Sequence, residues 1–402
     1  MESNGISFTE IEHARDVLKN VIRVTPLEQS RTLSELTSMD LYLKLENLQK
    51  TGSFKVRGAY YKIYSLSDSE RRRGVVAASA GNHAQGVAYA ATLLGTRSTI
   101  VMPENASPAK VDATRGYGAT VILHGTVFDE TVGMARQIAS REGSTFVHPF
   151  DDPFVIAGQG TIGLEIMDAQ PELEDLVVPV GGGGLISGVS LAAKGIKPSV
   201  RVIGVQSEAF PGIYNALRGI GSFEARDTIA DGIAVKQPGH LTLSTIKKMI
   251  DDIVLVSDDE ISYAVFFMLE RMKSLAEPAG AAGVAACIKG LINASGKKCA
   301  VVVSGGNIDM YMLDQIVIKG LEGENRLLRV RVILSDKPGA LREILEVVAR
   351  ARANVVKIEH DRVGKDVPVG KAQVTFDLET QNLEHTKAVL SALGRFGVTC
   401  NS

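Results

Sequence analysis

From residue 74 onward the apolar positions fall in short runs, each followed by a turn and a longer stretch with helical spacing. Val75–Ala78, Ser98–Met102 and Thr120–Leu123 are such runs, and residues 82–94 are small and apolar at the helical period. The alternation resumes after Phe150. Residues 176–180, 200–205, 253–256 and 299–303 read as strands, and 185–195 as a helix. Ser257-Asp258-Asp259-Glu260 reads as the cap of the helix behind it. Earlier, Ile11, Ala14, Val17, Leu18 and Val21 mark a helix within 6–21 that ends at Thr25-Pro26-Leu27, and 41–45 alternates like a strand. Short apolar strands alternating with helices predict an α/β fold, with parallel sheets covered by helices on both faces.

The pattern changes near Lys319-Gly320-Leu321-Glu322-Gly323-Glu324-Asn325, which reads as a polar, glycine-bearing linker centred on 321–326. Behind it come a strand over 327–334, an amphipathic helix over 339–352, strands over 354–362 and 371–379, and a helix over 383–396. This β-α-β-β-α order, with at best a short final strand, predicts a small α+β ferredoxin-like domain.

Composition narrows the class. A chain of 402 residues is long enough for two or three domains, and 45% hydrophobic with 22% charged residues is ordinary for a globular protein. A net charge of −2 supplies no basic field for nucleic acid or an anionic membrane surface. No apolar stretch is long enough to span a bilayer. Residues 1–9 lack a basic-then-apolar leader pattern, so a cytoplasmic location is expected. Cys287, Cys299 and Cys400 form no Cys-x-x-Cys pair, and the seven histidines no ligand cluster; no metal is expected.

The chemistry gathers around Lys50-Thr51-Gly52-Ser53-Phe54-Lys55-Val56-Arg57-Gly58-Ala59. A lysine at a helix start sits where the dipole disfavours a cation, which suits an amine that must spend part of its time neutral; standing alone it reads as a solvated surface lysine, and the segments further along the chain overturn that. In parallel-sheet folds, ligands sit beyond the carboxyl ends of strands, where three further segments fall. Gly181, Gly182, Gly183 and Gly184 leave a strand and open a helix, either as a phosphate cradle or as a flexible turn. Ser79-Ala80-Gly81-Asn82-His83 is either an anion-holding loop or an N-cap turn. Ser304-Gly305-Gly306-Asn307 closes a third strand with one more hydroxyl. An amine, a phosphate cradle, an anion loop and a serine are the parts pyridoxal 5'-phosphate requires. Gly158-Gln159-Gly160-Thr161-Ile162-Gly163 fits a dinucleotide fingerprint, but Asp152-Pro153 ahead of it reads as a helix start and not as a strand.

On these motifs, with Ala230-Asp231-Gly232 and Glu277-Pro278-Ala279-Gly280-Ala281, residues 5–320 resemble the fold type II (tryptophan synthase β-like) pyridoxal-phosphate enzymes. Within them the likeness is to the threonine dehydratase (threonine ammonia-lyase) group, with serine racemase and serine dehydratase as neighbours. Residues 327–402 resemble an ACT domain, with Asp336-Lys337-Pro338-Gly339-Ala340-Leu341 as its first turn. The resemblance implies a catalytic domain over 1–320, built of two open parallel-sheet subdomains with the smaller (about 48–150) inserted in the larger, and a regulatory domain over 327–402.

It also implies roles. Lys55 carries the cofactor as an imine and removes the α-proton. Phe54, Asn82, Gly181 to Gly184, Leu185 and Ser304 hold the cofactor, Asn82 at the ring oxygen and Ser304 at the pyridine nitrogen. Ser79, Ala80, Gly81, Asn82 and His83 receive the substrate carboxylate. The expected reaction is elimination of water from L-threonine, and more slowly from L-serine, to 2-oxobutanoate or pyruvate and ammonia. An amino-acid effector is expected at Gly339, Ala340, Leu341 and Asn354, in a homodimer or homotetramer with neither nucleic acid nor membrane as partner. Gln206 stands where racemases of the family carry an acidic metal ligand, so no metal is carried over, and Ala80 stands where they carry a serine. The rival readings are serine racemase or dehydratase, a β-replacement enzyme of the cysteine synthase kind, a non-catalytic amino-acid sensor, and a dinucleotide oxidoreductase.

Overall fold

The structure, a computed structural model, describes residues 2–3, 6–396 and 399–400. Residues 1, 4, 5, 397, 398, 401 and 402, and with them the outer ends of the two expected domains, lie outside the description. The chain divides into two compact units, Met1–Ile308 and Asp309–Ser402.

The first unit holds two large sheets beside a short antiparallel pair, Glu2–Ser3 with Ile6–Ser7. In the larger, the strands run in the order Asp252–Val256, Arg201–Ser207, Asp175–Pro179, Lys298–Val303, Asp40–Leu45 and Leu27–Gln29. The first five are parallel, and Leu27–Gln29 pairs antiparallel at the edge. The smaller sheet, Thr120–Leu123, Ser98–Met102, Val75–Ala78 and Thr145–Phe146, is parallel throughout. Its strands all lie within 48–150, between the larger sheet's strands Asp40–Leu45 and Asp175–Pro179. Helices cover parallel sheets on both faces, which is why Val75–Ala78 and Asp175–Pro179 are buried at every position and read as continuous runs.

Two sequence-distant segments are stitched together at the carboxyl end of Lys298–Val303. Ser53 and Gly305 form an antiparallel bridge, flanked by Phe54 N–H donating to Ser304 O at 3.1 Å and Gly306 N–H donating to Gly52 O at 2.9 Å. The glycine-rich decoy lies mid-helix, in Pro153–Ala169, capped by the Asp152 carboxylate. Its glycines serve helix contacts. A Cβ on Gly158 would come within 2.7 Å of Arg57 O, and one on Gly163 within 2.7 Å of Val189 O. The helix therefore approaches Lys55–Tyr64 on one side and Gly184–Ile196 on another at a distance only glycine permits.

In the second unit the sheet order is Asn354–Asp361, Lys371–Glu379, Leu327–Ser335, Thr399–Cys400, all antiparallel. Val330, Val332, Leu334, Val374, Phe376 and Leu378 face the helices Ala340–Arg350 and Leu383–Leu393 and are buried against Ile344, Val348 and Val389. The outward residues of Leu327–Ser335 alternate with them, the period-2 pattern of a half-covered sheet.

The expected linker at 321–326 begins in the last residues of a helix, Met310–Gly323, which the Asp309 carboxylate caps and which belongs to the second unit, and 324–326 form a turn ahead of the strand Leu327–Ser335. Gly320 and Gly323 read as chain breakers. Gly320 is instead buried in the helix with Ile316.

Candidate active site

Lys55 is the first residue of the helix Lys55–Tyr64, and Phe54 at the N-cap offers that helix no side-chain cap. The Lys55 amine donates to Pro149 O at 2.9 Å and lies 5.2 Å from the centre of the Phe54 ring. Burial brings its pKa down to about 8, against the opposing pull of the Glu277 carboxylate. A half-buried amine resting on a neutral carbonyl keeps a usable neutral fraction that a tight ion pair would abolish.

The turn that presents Pro149 O is held from several directions. His148 Nδ1 accepts from Asp151 N–H at 2.8 Å and Phe150 N–H at 3.3 Å. The Asp151 carboxylate accepts from the N–H groups of His240, Leu241 and Thr242 and so caps the helix His240–Met249. Thr242 Oγ1 donates to Gly182 O at 2.7 Å, tying that helix to the glycine loop.

In the glycine loop, backbone crowding explains the composition. Cβ atoms on Gly182 and Gly184 would meet Phe150, and one on Gly181 would come within 2.9 Å of Ile233 Cα. Gly183 sits at φ +93°, left-handed backbone, and N-caps the helix Gly184–Ile196. The first N–H groups of a helix have no intrahelical acceptor. A loop stripped of side chains at such a helix start suits a phosphate.

Asn82 begins the helix Asn82–Leu93 behind the strand Val75–Ala78. Its Nδ2 donates to Glu277 Oε1 at 2.6 Å, and its Oδ1 accepts from Asn307 Nδ2 at 2.7 Å. Asn307 Nδ2 also donates to Thr51 O at 2.8 Å. Burial raises the Glu277 carboxyl to about 7, although the bond from Asn82 and the charge of Lys110 pull the other way. Lys110, on the helix Pro108–Gly116 behind the smaller sheet's strand Ser98–Met102, pairs at 3.5 Å with Asp231, next to the glycine loop. Ser304 is buried at the end of Lys298–Val303, and its carbonyl accepts from Phe54 N–H, one residue before Lys55.

Sequence reasoning named Lys55, Phe54, Asn82, the 181–185 loop and Ser304, and the fold brings these segments to neighbouring strand ends. Of the stretch 79–83, Ser79 Oγ accepts from Gly81 N–H at 3.2 Å. His83 is buried with Nε2 bonded to Val147 O at 2.9 Å, and burial together with Lys55 lowers it to about 3. A neutral ring brings no positive charge to a carboxylate, so the attraction available in that stretch is that of the helix start. The effector candidates are not together within one chain. Gly339 N-caps the helix Ala340–Arg350, and Asn354 follows the other end, roughly 16 Å away at 1.5 Å per residue. Asn354 Nδ2 donates to Glu379.

Sequence reasoning quoted Arg57, Glu277 and Asn307 in motifs without giving them work. Arg57 is fully buried. It donates to both oxygens of Glu46 at 2.8 and 2.7 Å, to both of Glu165 at 2.6 and 2.9 Å, and to Thr161 Oγ1 at 3.0 Å. Lys44 donates to Glu165 at 2.5 Å and to Thr25 O at 2.6 Å, and the Thr25 hydroxyl donates to Glu46. Burial alone would raise the Glu46 carboxyl, but Arg57 holds it below the ordinary range. Two cations and two anions thus pin the Lys55 helix to the larger sheet and to Pro153–Ala169.

Residues 18–305 match the family of pyridoxal-phosphate dependent enzymes, and residues 328–395 match the ACT domain. An L-threonine ammonia-lyase of Thermotoga maritima is 52% identical over 386 residues, 96% of each chain. Among solved structures, threonine deaminase isoform 2 of Solanum lycopersicum aligns with TM-score 0.73 and 35% identity over 79% of this chain and 95% of its own. Maize serine racemase aligns with TM-score 0.74 and 34% identity, over 80% of this chain and 99% of its own.

Proposed function

Since this chain belongs to the pyridoxal-phosphate-dependent enzyme family and carries an ACT domain, we propose a threonine ammonia-lyase reaction for the site just described. L-Threonine loses water and then ammonia to give 2-oxobutanoate, and L-serine gives pyruvate. The observation that carries this reading is the Lys55 amine. It is half-buried, lowered by desolvation to about 8 and held on a carbonyl, between a side-chain-free loop at a helix start and Ser304.

The donor set fits the cofactor, which when bound supplies an electron sink that makes the substrate α-proton removable. Lys55 would hold it covalently and, once released, take that proton. Near pH 8 the amine is divided between base and acid forms, as a proton-transfer group should be. The N–H groups of residues 181–185 would take the phosphate, Asn82 the ring oxygen, Phe54 the ring flank and Ser304 the pyridine nitrogen. Serine has no charge to stabilise a protonated pyridine, which keeps the sink weak. Elimination tolerates that, because the β-hydroxyl departs as the α-proton is taken. The start of the helix Asn82–Leu93, with Ser79, Ala80 and Gly81 ahead of it, would receive the substrate carboxylate through backbone N–H groups.

The likeness to a racemase invites a second product, D-serine. Racemisation needs a proton donor on the face opposite Lys55, and Ala80 has none to give. The ACT domain would bind an amino acid around Gly339, Ala340 and Leu341, with Asn354 supplied from the far end of the helix and therefore from a second chain. Isoleucine and valine are the first effectors to try, on a biosynthetic route from 2-oxobutanoate to isoleucine. The enzyme is then a cytoplasmic homo-oligomer; among the described residues no helix is long and apolar enough to cross a membrane.

The test is the absorption spectrum of the purified protein with its cofactor, recorded before and after L-threonine, with keto acid measured in the same sample. A visible band that changes on addition while 2-oxobutanoate accumulates supports the reading. A band with no keto acid product removes it.

A further inference from the structure

We propose that Glu277 is a positioning residue: together with Asn307 it holds the side-chain amide of Asn82 so that Asn82 offers an N–H, and not its carbonyl oxygen, to the ring oxygen of the bound cofactor. The inference rests on the site reading above and adds a residue that reading does not use.

The constraint begins at the backbone. The carbonyl of Thr51 can only accept, so the Asn307 side-chain atom 2.8 Å from it is the nitrogen. That nitrogen also lies 2.7 Å from the Asn82 side chain. Both Asn307 protons are then committed, and the Asn82 atom they meet must be Oδ1. Nδ2 of Asn82 is left facing Glu277 Oε1 at 2.6 Å, an oxygen that accepts whether or not Oε2 carries a proton. One N–H of Asn82 remains for an acceptor in the site. Without Glu277 only the Asn307 N–H still holds this orientation, and a buried Asn82 N–H is left unmatched; the reversed orientation would set a carbonyl oxygen against the ring oxygen, acceptor against acceptor.

Glu277 is itself built in. It N-caps the helix Pro278–Ile288, yet its side chain makes no capping bond, which frees it to point at Asn82. Its N–H donates to Gly305 O at 3.0 Å. A Cβ on Gly305 would strike the Glu277 carboxyl, and a Cβ on Gly280 would strike the Gly305 carbonyl, so both positions are glycine where the carboxyl must fit. Lys55, Lys110 and Asp231 are the charged groups that act on it, from the catalytic helix, the smaller sheet's side and the loop beside Gly181.

Three full-length variants separate the possibilities. Glu277→Gln keeps an acceptor oxygen and drops the charge. Glu277→Leu drops both, and Glu277→Asp keeps the charge but falls one methylene short. Cofactor affinity of the apoenzyme and the pH titration of the bound cofactor's absorption are measured for each, alone and combined with Asn82→Ala. Glu277→Gln should bind cofactor within about threefold of the parent, while Glu277→Leu should bind roughly tenfold more weakly, the cost of an unmatched buried donor. The absorption of Glu277→Leu should also titrate at a shifted pH. In the Asn82→Ala background the Leu and Gln variants should be indistinguishable. If Glu277→Leu does not fold, Glu277→Asp takes its place with the same expectation. A Leu or Asp variant with parental affinity and titration overturns the proposal, as does a Leu effect that persists undiminished beside Asn82→Ala. If the parent itself gives no visible band with the cofactor, the site reading fails, and that result is distinct from both.

Discussion

Replacing Arg57 by methionine removes the cation that the Glu46 and Glu165 carboxylates share, while filling much of its volume. Glu46 would then be fully buried with the Thr25 hydroxyl as its remaining hydrogen-bond partner. The protein contains its own gauge for such a group. Glu277 is a buried carboxyl without a salt bridge among the described residues, and it is raised from 4.5 to about 7. If Glu46 rose equally in the variant, the penalty against an unfolded value of 4.5 would be about 3.3 kcal/mol at pH 8 and about 1.4 kcal/mol at pH 5.5, at 1.36 kcal/mol per unit. The first figure agrees with the roughly 3–5 kcal/mol that breaking a buried pair costs. The sign differs between the two proteins. In the parent, Glu46 is held low, so its contribution is present above the unfolded pKa and is lost as pH falls. In the variant it is raised, so the deficit is small in acid and grows as pH rises through 4.5 to 7. Thermal unfolding at pH 8 and pH 5.5 reads this directly, with a midpoint lowered by roughly 5–10 °C at the higher pH and less at the lower. Adding Glu46→Gln to Arg57→Met should recover part of the loss at pH 8. A midpoint shift of the same size at both pH values would refute the reasoning, since a pH-independent loss comes from packing and not from an abandoned charge.

Other outcomes follow from the same geometry. Lys55→Ala should keep the fold and lose both the visible band and keto acid production, and Lys55→Arg should fail as well, because a guanidinium stays charged. Ala80→Ser should raise D-serine formation from L-serine, though by far less than the roughly 10²–10⁴-fold of a tuned proton donor; equal racemisation by parent and variant would mean that Ala80 does not face the substrate. Gly182→Ala would press a methyl group into Phe150 and should weaken cofactor affinity measured on the apoenzyme, an overpacking cost of about 1–3 kcal/mol shared between loop and ring. Unchanged affinity there would mean that the loop is not the phosphate site.

Fully buried strands were legible because a strand covered on both faces is apolar at successive positions. Val75–Ala78, buried at every position, and Ser98–Met102, buried at all but one, end where the sequence places them. The helix over the false fingerprint was legible through Asp152-Pro153, a cap and a first-turn proline. The edge strand Leu27–Gln29 was not, because three partly exposed residues after a proline carry no period. The helix Met310–Gly323 was not legible, because glycine and charge near 320 imitate a linker. The least legible features are the polar ones. Arg57 finds Glu165 across 108 residues and Asn82 finds Glu277 across 195, and no local spacing announces either partner. The motifs of Arg57 and Glu277 were visible while their duties were not.

The bridge between Ser53 and Gly305 has a consequence in time. The two sides of that bridge are made about 250 residues apart, which at some 5–20 residues per second of synthesis is roughly 13–50 s. During that interval Lys55 exists without the strand Lys298–Val303 and the Ser304 turn that complete its surroundings. Cofactor capture by the finished pocket is therefore a late event in the life of each molecule, set by the arrival of residue 307 and by a pairing of long sequence separation, a slow class of contact to form. The residues matched to the ACT domain are still unmade when residue 307 arrives, so every segment of the candidate site exists in the chain before any of them does.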